Sequence, residues 1–235
     1  MRMLDLFSGI GGFALAAEWV WGDELDITGF CEIEKYAQKV LQKNFPGVPI
    51  YDDITKLNGK DFKNIDLITG GFPCQDISVA GKGAGIKEGT RSGLWFEMWR
   101  IISEERPRFA LIENVPMLTI RGGTRVIADL AKIGYDCEWQ VISAKQVGSW
   151  HKRERMWIIT YSNKNEYTFN RKSRSRRKSR KLCRSNLRDL WDKNIPSDFV
   201  RISNGIPSRV DRLKGLGNSI VPQVAALIME RIKNA

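Results

Sequence analysis

Histidine is nearly absent from this sequence: His151 is the only one in 235 residues. Cysteine is scarce as well. The four cysteines (Cys31, Cys74, Cys137 and Cys183) are widely scattered and form no CxxC pair. That composition argues against a structural zinc site and a disulfide scaffold, and fits a reducing cytosol. No run approaches the ~20 consecutive apolar residues that span a bilayer, although 42% hydrophobic residues suffice for a globular core. The opening Met1-Arg2-Met3-Leu4-Asp5 carries an acid into the first strand-like run, so no signal peptide is expected. Internal repeats are also lacking. The length admits one large domain, or one domain with a small appendage.

Acids are missing from one internal stretch. Arg171 to Arg188 carries ten Lys or Arg residues and no Asp or Glu, and the rest of the chain holds 28 basic against 27 acidic residues. The net charge of +11 therefore belongs to one segment on a nearly neutral fold. A polyanion-binding insert has this signature, and a solvated charged tail is the plain alternative.

What is present alternates between apolar runs and glycine-rich breaks. Met3 to Phe7 reads as a strand, and Ser8-Gly9-Ile10-Gly11-Gly12-Phe13 follows as a turn into a helix over Ala14 to Val20. Glycines let such a turn bring its N–H groups close to a ligand at the helix start. The second strand, Ile27 to Cys31, ends on Glu32. An acid there hydrogen-bonds ribose hydroxyls in nucleotide-binding sheets, or complements the dipole of the helix expected over Ile33 to Asn44. A short strand near Ile50 leads to Asp53, placed to accept from an adenine amino group. Ile65 to Thr69 reads as a buried parallel strand, broken by Gly70-Gly71-Phe72-Pro73 directly before Cys74. A thiol there is a candidate nucleophile, and a small buried core residue is the bland reading.

Gly81 to Ser92 lacks apolar periodicity and reads as a loop over the site. A helix is expected over Gly93 to Ile102, a strand over Arg108 to Ile112 ending at Glu113-Asn114-Val115-Pro116, and a helix over Thr124 to Ile133. Two further strands are expected over Cys137 to Ser143 and Met156 to Tyr161. Arg153 and Arg155 alternate, so they leave one face of an extended chain. Periodicity then vanishes from Ser162 to about Ile206. Val210 to Lys214 reads as an abbreviated link. Gly215 to Pro222 leads into a final helix over Gln223 to Ile232, with Asn218 or Ser219 as its cap and Pro222 in its first turn.

Five of these segments, in order, resemble the cytosine-5 DNA methyltransferase family over nearly the whole chain, in the manner of its small phage or prophage-type members. They are Asp5 to Gly12, Phe72-Pro73-Cys74-Gln75, Glu113-Asn114-Val115, Arg153-Glu154-Arg155 and Gly217 to Pro222. The resemblance implies an α/β, Rossmann-like S-adenosylmethionine-dependent methyltransferase fold with a mostly parallel seven-stranded sheet. It divides the chain into a catalytic domain (1–161), a short basic target-recognition region (162–206) and a C-terminal segment (207–235) that returns to the catalytic domain.

The resemblance also implies chemistry: methyl transfer from S-adenosylmethionine to carbon 5 of cytosine in double-stranded DNA. The thiol of Cys74 would add to carbon 6 of a flipped-out base, with Glu113 at ring nitrogen 3 and Arg155, beside Arg153, at oxygen 2. Cofactor contacts are implied at Phe7, Gly9, Gly11, Gly12, Glu32, Ile33, Asp53, Ile54, Pro73, Leu94, Asn218 and Ser219. DNA contacts are implied at Ser78, Lys82 and Arg91 on the loop, and at Arg174, Arg176, Arg177, Lys178 and Arg180 in the basic run. No metal is expected, since a sulfonium supplies the electrophile. The chain is expected to act as a cytoplasmic monomer in a bacterial or phage-infected cell, either with a restriction endonuclease of the same site or as an orphan enzyme. Three departures stand out: His151 replaces the glutamine of the family's Gln-x-Arg-x-Arg motif, the recognition region is short with an abbreviated link before Gly217, and Ile33 replaces a large aromatic. An RNA cytosine-5 methyltransferase and a catalytically weak DNA-binding protein are the alternatives.

Overall fold

The structure is a computed structural model that describes residues 1–73, 93–162 and 209–234. Seven strands form one sheet: β1 (Arg2–Leu6), β2 (Asp26–Cys31), β3 (Ile50–Tyr51), β4 (Leu67–Gly70), β5 (Phe109–Asn114), β6 (Tyr135–Ser143) and β7 (Glu154–Ser162). Their order is β3-β2-β1-β4-β5-β7-β6. The first five run parallel, and β7 is antiparallel to both β5 and β6. A mostly parallel seven-stranded sheet is what the resemblance implied.

Alternation along the central strands sends side chains to two separate cores. Met3, Leu67, Phe109 and Leu111 face one side. Leu4, Leu6, Ile68, Ala110 and Ile112 face the other. Because both faces are covered, these strands read as continuous apolar runs, with all six residues of β5 buried. On the first face lie α1 (Gly12–Trp21) and the final helix α7 (Pro222–Lys233), which pack on each other. The second face is covered by α3 (Leu94–Glu105) and α5 (Gly123–Lys132). Trp95 on α3 is fully buried there, and truncating it to Ala would cost about 3–5 kcal/mol. Helix α2 (Lys35–Asn44) covers β2 through Leu41, which packs with Phe30 and Phe45.

Several local expectations change. The helix expected from Ile33 starts at Lys35, because the Glu32 carboxylate occupies the backbone before it. A short helix α4 (Leu118–Arg121) stands where none was read; four residues are too few to show periodicity. Glu113 and Asn114 are the last residues of β5 rather than residues beyond it. The expected link at Val210 to Lys214 belongs to a helix, α6 (Arg209–Asn218). Arg, Leu and Lys are good helix formers, and no proline interrupts them. Asn218 and Ser219 do not cap the final helix. Asn218 ends α6, and Val221 holds the N-cap position of α7 without a side-chain cap. Pro222 does take the first position, where its missing N–H costs nothing.

Candidate active site

β1 pairs with β2 on one side and β4 on the other, so the strand order reverses between β1 and β4. Ligands of open α/β sheets bind at the carboxyl ends beside such a reversal. β1 there gives way to a tight turn. Phe7 (φ 53°), Gly9 (φ 54°) and Gly11 (φ 89°) all adopt left-handed backbone; Phe7 does so against the usual penalty for a side chain. Ser8 fastens the turn, its N–H donating to Cys31 O (3.1 Å) and its hydroxyl to Asp5 O (2.7 Å).

Glu32 joins this turn to the start of α2. Its Oε2 accepts from Gly9 N–H (2.7 Å) and its Oε1 from Glu34 N–H (2.8 Å). Burial raises the Glu32 pKa, and the two backbone donors offset part of that rise. One carboxylate thus ties the glycine turn to the residue that precedes α2. Ile33 next to it is an exposed apolar side chain (71%). A Cβ built on Gly9 would meet no heavy atom within 4 Å, so the space above the turn is open. An open glycine turn, a carboxylate able to accept from hydroxyls and an apolar side chain beside it fit a nucleoside cofactor. Asp53 follows β3, where its Oδ1 accepts from the N–H (2.9 Å) and hydroxyl (2.7 Å) of Thr55. Those donors lower its pKa. The side chain of Ile54, expected at the adenine edge, lies instead in the core (5% exposed).

The wall opposite comes from the C-terminal segment. A Cβ on Gly215 would lie 3.3 Å from Ile10 Cγ2, and one on Gly12 would lie 2.7 Å from Ile220 Cγ1 and 3.3 Å from Ser219 Oγ. Lys214 Nζ reaches Glu34 Oε1 at 2.6 Å; the pair is half exposed and contributes little stability, but it marks where α6 meets α2. Ser219 thus sits against the glycine turn, while Asn218 is exposed. Asp5 lies beneath the turn and is fully buried. Its Oδ1 accepts from Thr69 Oγ1 at 2.6 Å, and its Oδ2 has no partner among the described residues. Burial pushes its pKa up to about 8.

A second cluster forms where β4 and β5 end and the antiparallel β7 begins. Arg155 Nε lies 2.9 Å from Glu113 Oε1. A Cβ on Gly71 would lie 3.0 Å from Glu113 Oε2, so the glycine makes room for the carboxylate. Burial pushes the Glu113 pKa up to about 7, against the lowering effect of Arg155 and Arg153. Asn114 Nδ2 donates to Phe72 O at 3.0 Å, and the buried Phe72 ring packs 5.5 Å from Trp95. Pro73 is half-buried and ends the described part of this segment; Leu94 opens α3 on its far side, packed against the core. Arg153 sends Nη2 to two carbonyls, Gly217 O (2.8 Å) and Ser219 O (2.7 Å).

Cys74, Ser78, Lys82, Arg91, Arg174, Arg176, Arg177, Lys178 and Arg180 lie outside the described residues. Sequence reasoning missed Asn114, Gly71 and Ile220 as individual site residues. The Gly70-Gly71 pair and the polar end of an otherwise apolar β5 were the available signals. Ile220 carried none, because its contact depends on the return of the C-terminal segment.

The reversed strand order, the glycine turn after β1 and the acid after β2 define the class: a Rossmann-like fold of S-adenosylmethionine-dependent methyltransferases. The chain belongs to the C-5 cytosine-specific DNA methylase family, whose model matches residues 1–214. It is 38% identical over 167 residues to the Type II methyltransferase M2.BsuMI of Bacillus subtilis (strain 168), covering 68% of this chain and 41% of that protein. The Type II methyltransferase M.HhaI of Haemophilus parahaemolyticus is 36% identical over 172 residues, with 69% of this chain and 50% of that one covered. The chain thus spans half or less of the length of these relatives. A crystal structure described as a DNA modification methyltransferase encoded within an E. coli prophage is similar at TM-score 0.58 and 28% identity, covering 70% of this chain and 47% of that one. The fold also resembles the S. pombe Dnmt2 methyltransferase (TM-score 0.59, 24% identity), over 69% of this chain and 51% of that one.

Proposed function

We propose that this chain transfers a methyl group from S-adenosylmethionine to carbon 5 of cytosine in double-stranded DNA. The observation that carries the reading is the Glu113–Arg155 pair. It stands against Gly71 at the end of the strand that leads to Cys74. Phe7, Gly9, Gly11 and Gly12 would cradle the cofactor, with Glu32 accepting from its ribose, Ile33 against its adenine and Ser219 closing the far side. The bound cofactor supplies an electrophilic sulfonium methyl group.

Cytosine carbon 5 is a weak nucleophile until the aromatic ring is disrupted. In the proposed reaction the thiolate of Cys74 adds to carbon 6, and negative charge moves toward ring nitrogen 3 and oxygen 2. Glu113, whose pKa burial pushes up to about 7, gives or shares a proton at nitrogen 3. The guanidinium of Arg155 faces oxygen 2. Asn114 holds the Phe72 carbonyl, and with it the base of the nucleophile loop. After methylation the carbon-5 proton leaves and Cys74 is expelled, restoring the ring. Cytosine stacked in a duplex hides carbon 6, so the base must leave the helix.

The basic region at 162–206 is proposed to read the DNA, with Arg174, Arg176, Arg177, Lys178 and Arg180 on its phosphates, and Ser78, Lys82 and Arg91 on the loop near the vacated base. Monomeric action in the cytoplasm of a bacterial or phage-infected cell, alongside a restriction endonuclease of the same site, completes the reading. The relatives' names as Type II methyltransferases support a DNA-modification role. Among the described residues no helix is long and apolar enough to cross a membrane, and no group of His, Cys, Asp and Glu is arranged to hold a metal.

The test is incubation with S-adenosylmethionine and either mixed-sequence duplex DNA or transfer RNA, followed by bisulfite sequencing. Protected cytosines in one DNA sequence context are expected. Protection confined to RNA would move the activity to that substrate, and protection in neither would remove it.

A further inference from the structure

Arg153 starts beside the Glu113 cluster and ends at the cofactor cradle. It precedes β7, two residues before Arg155, and lies close enough to Glu113 to lower that carboxyl's pKa. Its Nη2, however, is committed elsewhere, to Gly217 O at 2.8 Å and Ser219 O at 2.7 Å. Gly217 is the penultimate residue of α6. Carbonyls in a helix's last turn lack an intrahelical partner and carry the negative end of its dipole, so a cation there is favoured. Burial lowers the Arg153 pKa, and its Nε is buried with no partner among the described residues. The side chain is thus desolvated to reach the turn. The next residue, Ile220, touches Gly12, and Ser219 lies against it as well.

We infer that Arg153 is a positioning residue that locks the Gly217–Ser219 turn against the glycine cradle, and so sets cofactor affinity, rather than a group that touches the target base. The inference rests on the cofactor reading above. It assigns Arg153 and Arg155 different tasks although they leave one face of the chain: Arg155 serves the base pocket and Arg153 fastens the segment that closes the cofactor pocket. It also gives that segment an anchor independent of residues 163–208, which separate β7 from α6 in the chain. A charged donor shared by two carbonyls is worth more than a neutral hydrogen bond.

The experiment is equilibrium binding of S-adenosylhomocysteine to the full chain and to its Arg153→Gln and Arg153→Lys variants, with steady-state kinetics alongside. Arg153→Gln is expected to raise the Kd about tenfold or more. KM for S-adenosylmethionine should rise with it by a larger factor than kcat falls, the fall in kcat reflecting the loss of a charge that lowers the Glu113 pKa. Arg153→Lys keeps a cation able to donate to both carbonyls and should recover most of the affinity. An unchanged Kd with a fallen kcat would overturn the inference and return Arg153 to the base. Global unfolding of both variants would overturn it too, because the role would then lie in the whole fold. If the parent chain itself binds no S-adenosylhomocysteine, the cofactor reading fails first.

Discussion

Burial pushes the Glu113 pKa up to about 7 although Arg155 Nε stands 2.9 Å away. A guanidinium at that distance ordinarily holds a carboxylate well below its usual range. Here burial at the end of β5 outweighs the pair, and the carboxyl remains able to donate near neutral pH.

Glu113→Gln tests this. The parent Glu113 pKa is raised from 4.5 to about 7. Over that interval the unfolded chain loses the proton while the folded chain holds it. The stability associated with Glu113 is therefore fully present below about pH 4.5 and is lost as pH rises through about 7. Urea denaturation at pH 5 and pH 8 should show the parent losing stability relative to the variant across the interval. Methyl transfer by the variant should fall on the order of 10²–10⁴-fold, and kcat/KM of the parent should decline above about pH 7. A profile flat to pH 9 would remove the proton-donor role.

Cys74→Ser should abolish methyl transfer and leave S-adenosylhomocysteine binding unchanged, because a hydroxyl is a far poorer nucleophile than a thiolate. Duplex DNA carrying 5-fluorocytosine provides the direct check. Its carbon-5 fluorine cannot leave as a proton, so the parent chain should form a denaturation-resistant adduct and the variant should not.

Gly12→Ala should weaken cofactor binding without blocking folding. The new Cβ falls 2.7 Å from Ile220 Cγ1, which forces the C-terminal turn away from the cradle. Ile220→Ala in the same chain should restore part of the affinity by removing the clash. Calorimetric titration of the single and double variants reads this coupling; strictly additive losses would mean that the two residues do not meet.

Replacing Arg174, Arg176, Arg177 and Arg180 together by Gln should weaken DNA binding for all sequences. The slope of log K against log salt should shrink by up to about 3 to 4, at about 0.9 for each phosphate that is no longer neutralised. Filter binding between low and physiological salt measures it. An unchanged slope would mean that the basic run is a bystander.

The elements that the sequence made legible were those whose signal is local. The unbroken apolar run Phe109 to Ile112, the glycines after Phe7 and the break at Gly70-Gly71 each follow from short-range backbone chemistry, and the structure holds strands and turns at those places. The boundary of α2 shifted because the Glu32 carboxylate takes the N–H of Glu34, which holds the N-cap position with extended backbone, so the helix begins at Lys35. Capping of the last helix was misread because Asn218 had already been drawn into α6.

By itself the sequence determined the order of the strands and of every helix but α4 and α6, the concentration of positive charge and the residue types able to do the chemistry. These are set by periodicity, composition and spacing along the chain. Only the tertiary structure decided which of them meet. Burial at the β5 end raised the Glu113 pKa against its own arginine, and Arg153 reached the C-terminal turn, where Gly217 O at the end of α6 and Ser219 O just past it accept from its guanidinium. Both outcomes depend on desolvation and on contacts between segments tens of residues apart, which no local pattern encodes.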